Sequence, residues 1–297
     1  MKRARRLATV LAIVAAVVAT DAVAVVIDRM FERGRLFRIE RAGVPASYVY
    51  GILHSNDPRA TALPEPVVAA LGASRSAAFE TLLVDRDVDE FHAAARYEDR
   101  RRLTDHVDAG TLVRIRAALG VDAPDSAALE KTKPWAVLLM LARSPDRDSA
   151  SLDGVLLAEA KARGLGMLAL ELPEEQTASL DAIPLASQIA LLRWTLDTRS
   201  MRAAELEATT RAWLAGDLAG LWQMALEPHG RDRALIPHFR ALLQHLVTGR
   251  NVLMAHRLHL PLARGRVFVA VGALHLYGPQ GLLALIARQG YRVTRVL

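Results

Sequence analysis

Apolar and polar residues alternate along Leu36–Arg41 and again along Ser47–Leu53, with Ala42-Gly43-Val44-Pro45 between them. A period of two marks a strand with one buried face, and the glycine-bearing break predicts a β-hairpin. The hairpin runs into His54. Pro64-Glu65-Pro66 opens a short helix reaching Leu71, and Ala77–Val84 reads as a strand holding Glu80 in its middle. Helical spacing follows over Val88–Leu103 and Asp108–Leu119, and Lys133-Pro134-Trp135 opens an apolar helix to Ala142, with proline in the first turn. A polar loop over Asp146–Ser151 leads to a helix over Leu152–Arg163, ended by Gly164 and Gly166. Met167–Leu172 reads as a buried strand. Helical patterns fill Glu174 to about Ala263, interrupted near Gly216 and at Pro228–Gly230. The chain closes with a strand over Val267–Val271, a loop carrying His275, a helix over Gln280–Arg288 capped by Gly290, and a strand over Tyr291–Val296.

No repeat divides this pattern, and no linker rich in Pro, Gly or Ser splits it. The expectation is a single α/β domain over 28–297, built as a central mixed β-sheet with an N-terminal β-hairpin, flanking helices and a large helical insertion between the sheet halves.

The start of the chain stands apart. Lys2-Arg3-Ala4-Arg5-Arg6 precedes an uninterrupted run of apolar and small residues from Leu7 to Ala19, and Ala22-Val23-Ala24 offers a small-x-small cleavage site. This order of basic, apolar and small residues predicts a secretory signal peptide within 1–27, with an uncleaved signal anchor as the alternative. Either way the domain is expected to be exported, to the periplasm or cell envelope, touching the membrane only through that segment.

Composition removes several classes of function. The chain has no cysteine, which excludes disulfides, thiolate metal sites, a cysteine nucleophile and a lipid-modified cysteine. The isoelectric point is about 10.0, but residues 1–24 hold four of the cations against one acid. Without them 34 bases face 31 acids. The remaining arginines are mixed with acids and form no basic stripe with stacking aromatics, so nucleic acid is not an expected partner. His-Glu-x-x-His, Gly-x-Ser-x-Gly and the phosphate-binding Gly-x-x-x-x-Gly-Lys are absent. Gly164-x-Gly166 imitates a dinucleotide turn but precedes a strand instead of following one.

Candidate chemistry concentrates in two short stretches of one form. Gly51-Ile52-Leu53-His54 and Gly272-Ala273-Leu274-His275 each end a strand-like run with Gly-x-x-His. Open α/β sheets place reactive groups in the crevice beyond their strand ends. Two such histidines from opposite ends of the chain predict one site closed by bringing those ends together. The histidines could be metal ligands, acid–base groups or loop residues, and imidazole is the commonest neutral ligand for transition metals. Glu80 inside an apolar strand is costly unless paired, protonated or metal-bound. Glu171 ends a second such strand. Arg250-Asn251 could anchor a carboxylate or substrate. His92, His106, His229, His238, His245, His256 and His259 read as surface residues.

Taken together, Tyr50-Gly-Ile-Leu-His54, the Glu80 strand, Lys133-Pro-Trp135, Leu152-Asp-Gly154, Leu170-Glu-Leu-Pro-Glu-Glu-Gln176, Arg250-Asn251 and Val271-Gly-Ala-Leu-His-Leu-Tyr-Gly278 resemble the TraB/PrgY/GumN family, which includes the animal Tiki proteases and is similar to the erythromycin-esterase and ChaN-like fold. The resemblance implies a metal-dependent hydrolase, most directly a peptidase. His54, His275 and Glu80 would hold a divalent ion such as Mn, Co or Zn. Glu80, Glu171 and Arg250 would serve catalysis, and Asn251 and Tyr277 would bind a peptide or small-molecule substrate. The alternative is a non-catalytic envelope protein that binds a peptide, haem or another small ligand with the same residues. Two positions depart from the family pattern: Ile52 replaces the usual threonine, and Leu274 replaces a small residue, narrowing access.

Overall fold

A computed structural model describes residues 31–82, 85–142, 150–227 and 232–297. The segment expected as a leader, His229 and the expected break at Pro228–Gly230 lie outside them. Six strands form one mixed sheet: β1 (Leu36–Arg41), β2 (Val44–Ile52), β3 (Ser76–Phe79), β4 (Gly166–Ala169), β5 (Val267–Gly272) and β6 (Arg292–Arg295). Their order across the sheet is β4-β3-β5-β2-β1-β6. The four strands β4, β3, β5 and β2 run parallel, while β1 is antiparallel to both β2 and β6. The chain is therefore α/β, as its pattern of elements indicates.

The hairpin closes between Arg41 and Val44, which are register partners. Gly43 occupies the turn at φ 73°, a backbone region that side chains with a Cβ rarely enter. All six residues of β5 are buried, which explains why that strand reads as a continuous apolar run instead of alternating: it is covered on both faces. Trp213, 1% exposed, crosses from the helix Arg202–Leu214 and donates Nε1–H to the Gly51 carbonyl at 2.9 Å. Its ring meets Tyr50 edge-on at 6.3 Å. Trp213→Phe keeps most of the apolar contact but leaves that carbonyl without its partner. The expected loss is about 1–3 kcal/mol of unfolding free energy, read from the shift in urea midpoint at unchanged slope.

The helical portion arrives in two parts, 85–162 between β3 and β4 and 173–264 between β4 and β5. Part of it has a core of its own. Leu103, Ile115, Leu129, Val137 and Leu192 pack together away from the sheet. Trp135 anchors a third cluster, with Nε1–H donated to Asp181 at 2.6 Å and its backbone N–H to Gln188 Oε1 at 3.0 Å.

Several expected boundaries move, each for a physical reason. The helix expected over Val88–Leu103 spans Asp85–Ala94. It stops because Tyr97 N–H donates to the Lys131 carbonyl and Lys133 N–H to that of Ala95, drawing the backbone into a bridge with Thr132. β3 ends at Phe79, so Glu80 lies just past the strand and not within it. β4 likewise ends at Ala169, although Glu171 N–H still donates to the Glu80 carbonyl at 2.8 Å. His238, expected at the surface, is half-buried, and its Nδ1 lies 3.0 Å from Ser187 Oγ.

Candidate active site

The four parallel strands finish on one edge of the sheet, and each end presents a polar side chain. In sheet order these are Glu171 after β4, Glu80 after β3, His275 after β5 and His54 after β2. This is the crevice beyond the carboxyl ends of the strands, where open α/β sheets bind ligands.

Glu80 is at the centre. Its Oε1 accepts the Gly272 backbone N–H at 2.7 Å, and its Oε2 accepts Nη2–H of Arg250 at 2.7 Å. The Nε2 atoms of His54 and His275 each stand 3.7 Å from a different oxygen of the same carboxylate. Burial alone would raise the Glu80 pKa, but His54, His275 and Arg250 outweigh it and hold the carboxyl well below its usual range. It is ionised throughout the neutral range.

Arg250 lies near the start of the helix Gly249–Arg264, directly after a π-helical turn over Gln244–Thr248. Its Nε donates to Glu171 Oε1 at 2.8 Å and Oε2 at 3.0 Å, its Nη2 bonds Glu171 as well as Glu80, and its Nη1 donates to the Leu246 carbonyl at 2.9 Å. Burial opposes the charge on this guanidinium, but the two carboxylates more than offset that and raise its pKa. Glu171, with 1% of its side chain exposed, touches Arg250 and not the histidines.

The two histidines are oriented by different neighbours. His275 Nδ1 lies 2.7 Å from Asn251 Oδ1, and Asn251 Nδ2 donates to the Gln280 carbonyl at 2.8 Å. That second bond fixes the amide with its oxygen toward the ring, so Nδ1 carries the hydrogen. Burial pushes the His275 pKa down to about 4, so the ring is neutral and Nε2 bears a lone pair. His54 Nδ1 stands 3.0 and 3.1 Å from the two oxygens of Asp153, in the first turn of the helix Leu152–Ala162. Loss of hydration pulls the His54 pKa down, but Asp153 and Glu80 overcome this and raise it to about 10. Its side chain remains 61% exposed, so solvent screens part of the pull of the two carboxylates.

The glycines of both Gly-x-x-His stretches are needed for close approach, not for a left-handed backbone. Gly272 has φ −52°. A Cβ there would lie 3.1 Å from His54 Nε2, 3.3 Å from Glu80 Oε1 and 3.5 Å from His275 Cδ2. At Gly51 a Cβ would meet Leu276 Cδ1 at 2.5 Å.

Two cavities meet at this centre. One, of about 480 Å³, is lined by His54, Glu80, Arg250, His275 and Leu274 together with many apolar side chains from the helical portion. The other, of about 550 Å³, reaches His54, Glu80 and Arg250 from the side of Thr81, Asp153 and Gln176.

A family model described as the TraB/PrgY/gumN family matches residues 35–295. The chain belongs to this family. No curated protein and no solved structure matches it. In this TraB/PrgY/gumN domain, His54, Glu80, Glu171, Arg250 and His275 come together. Asn251 does not face a substrate: it is fully buried, and both ends of its amide are engaged, so it positions His275. Tyr277 is half-buried against the main core and lines neither cavity at the site. Asp153 received no role from the sequence, because an acid in the first turn of a helix is commonly a response to the helix dipole. His256 and His259 are exposed on the opposite face of their helix, as expected.

A divalent transition metal could be held through the two imidazoles: His275 offers Nε2 as it stands, whereas His54, which its carboxylate neighbours keep protonated, would have to release its Nε2 proton to the incoming ion. The lone pair on His275 Nε2 and a carboxylate oxygen 3.7 Å away are two acceptors facing one another with no donor between them. A nitrogen donor bonds such an ion at about 2 Å. Glu80 differs, since each of its oxygens already accepts a strong hydrogen bond. Among the described residues no three or more His, Cys, Asp or Glu side chains are arranged as a ready-made metal group.

Proposed function

We propose that this chain is an exported metal-dependent hydrolase of peptide-type amide bonds, with His54 and His275 as metal ligands and Glu80 beside them. The observation that carries the reading is the pair of oriented imidazoles, each set by its own acceptor, with both Nε2 atoms directed at one buried carboxylate where two cavities meet. Such outer hydrogen bonds commonly fix histidine ligands. The leader pattern supports export.

A divalent ion held there would polarise the substrate carbonyl and acidify a water molecule. Glu80 stays ionised beside that position and accepts a proton from the attacking water. Arg250 and the Gly272 N–H hold the Glu80 carboxylate in place, while Asp153 and Asn251 keep the imidazoles turned inward.

Elemental analysis of protein purified without added metal is the first test. Wild type is expected to carry Mn, Co or Zn. His54→Ala and His275→Ala are expected to lose metal and hydrolysis together, because each removes a ligand. Full hydrolysis by the double histidine variant would remove the site from consideration. The wide, largely apolar cavity favours a second reading, a non-catalytic protein binding haem, a peptide or another small ligand. That reading requires no turnover with any of these metals and ligand affinity that falls in the histidine variants.

A further inference from the structure

The cavity of about 480 Å³ leads from Glu80 into the helical portion, where most of its walls are apolar. Leu221, Met224 and Ala225 come from the helix Leu218–Leu226, and Phe239, Leu242 and Leu243 from the helix Ile236–Leu243. Through the shared side chains Trp194, Phe239, Leu242, Leu246 and Glu205, whose carboxylate is the one acid among the described residues at this junction, it adjoins another cavity of about 330 Å³, walled by Leu138, Leu141 and Leu191. Hydroxyls along this path are turned into their own helices. Thr209 donates to the Glu205 carbonyl, Thr195 to that of Leu191 and Thr198 to that of Trp194. The Arg202 guanidinium is bonded to the carbonyls of Leu141 and Ala142.

These walls discriminate between two kinds of apolar occupant. An extended peptide would bring backbone N–H and C=O groups into a space with few partners, at about 1–3 kcal/mol for each group left unsatisfied. A polymethylene chain brings none. Both cavities fall within the range of roughly 300–1,000 Å³ that encloses small organic ligands.

We infer that this apolar wing is an acyl-chain site. The substrate carries an unbranched aliphatic acyl group lying among the helices Leu185–Asp197, Leu218–Leu226 and Ile236–Leu243. Its carbonyl sits at Glu80, and its amine portion occupies the cavity on the Asp153 side. The reaction rests on the hydrolase reading above; the binding does not. In that reaction the oxygen of water bonds to the carbonyl carbon and the C–N bond breaks. The amine leaves with both protons of the water, as an ammonium ion, and a fatty carboxylate remains.

Dansyl-undecanoate titrated into the full chain reads the wing directly. Its emission is expected to shift to the blue, with displacement by decanoate and not by acetate. Each buried methylene is expected to tighten binding roughly threefold to fourfold. Ala225→Trp, which fills the wing, weakens the probe by about tenfold or more. Leu242→Ala enlarges the wing and shifts the preference toward longer chains, a gain that misfolding cannot produce. Hydrolysis is read separately with N-acetyl, N-octanoyl and N-dodecanoyl nitroanilides. Chain-length-dependent binding without turnover keeps the acyl site and removes the hydrolase. Turnover of acetyl substrates without probe binding, or binding indifferent to both variants, overturns the acyl site and leaves the hydrolase standing. Haem displacing the probe where decanoate fails also overturns it.

Discussion

Arg250→Ala is expected to cost about 3–5 kcal/mol of unfolding free energy, the range for removing one member of a buried charge network. The guanidinium is the common partner of two carboxylates, Glu80 with 12% and Glu171 with 1% of its side chain exposed. Without it, two negative charges face each other out of water. Arg250→Lys should rescue little, because one ammonium cannot reproduce the fork that spans Glu171, Glu80 and the Leu246 carbonyl. The pH dependence supplies a signature. In wild type Glu80 titrates below its unfolded value, so its stabilisation is present above the unfolded pKa and fades as pH falls through the folded one. In the variant the loss of its cation moves the folded pKa of Glu80 upward. The deficit should then be largest near neutrality and shrink on acidification as the carboxyl takes up a proton. Chemical denaturation of both proteins across pH 2–7 would show the curves converging only at the acid end, because His54 and His275 still hold Glu80 low in the variant. An offset that stays constant down to the lowest pH would mean that Arg250 stabilises by packing and not by charge.

The second large effect is on turnover. Glu80→Gln is expected to lower hydrolysis by about 10²–10⁴-fold, the usual contribution of a placed acid–base group, while retaining bound metal. Retention is expected because the two imidazoles hold the ion, while Gly272 N–H on one oxygen and Arg250 on the other fix the carboxylate beside them, each oxygen keeping a lone pair for a proton. Glutamine places an NH₂ against one of those two donors whichever way it turns. A donor-to-donor contact of this kind adds a stability loss of about 1–3 kcal/mol. Metal content, hydrolysis and unfolding midpoint should therefore be measured on the same sample. Loss of metal in proportion to activity would make Glu80 a ligand and reassign its role.

The sequence carried the outline of this site further than its details. The hairpin was legible because alternation and a glycine turn are both local, and β5 because six buried positions leave an unbroken apolar run. Gly-x-x-His placed both histidines correctly beyond their strands. The ends of β3 and β4 were not legible, because the apolar run past Phe79 continues into residues that leave the ladder while Glu80 turns toward Gly272. The groups that aim the imidazoles were hidden for another reason. Asp153 resembles a helix-start acid, and Asn251 beside Arg250 reads as a substrate anchor, so only the packing of distant segments reveals their partners. Arg250 was named from its motif, but its bridge between Glu80 and Glu171 depends on β3 and β4 lying side by side.

The strand order also sets when this site can come into being. β5 lies between β3 and β2, yet it is the last strand but one in the chain. Until residues 267–272 are made, the edges of β2 and β3 that will flank it have no partner, and His54 and Glu80 have no Gly272 between them. The sheet must be closed by contacts spanning most of the chain, a slow class of folding step that leaves intermediates with open strand edges. A ribosome-bound fragment ending before β5 would hold one of the two histidines and no centre. Whatever chemistry this crevice performs, it is unavailable to the nascent chain and begins only once the polypeptide is nearly complete.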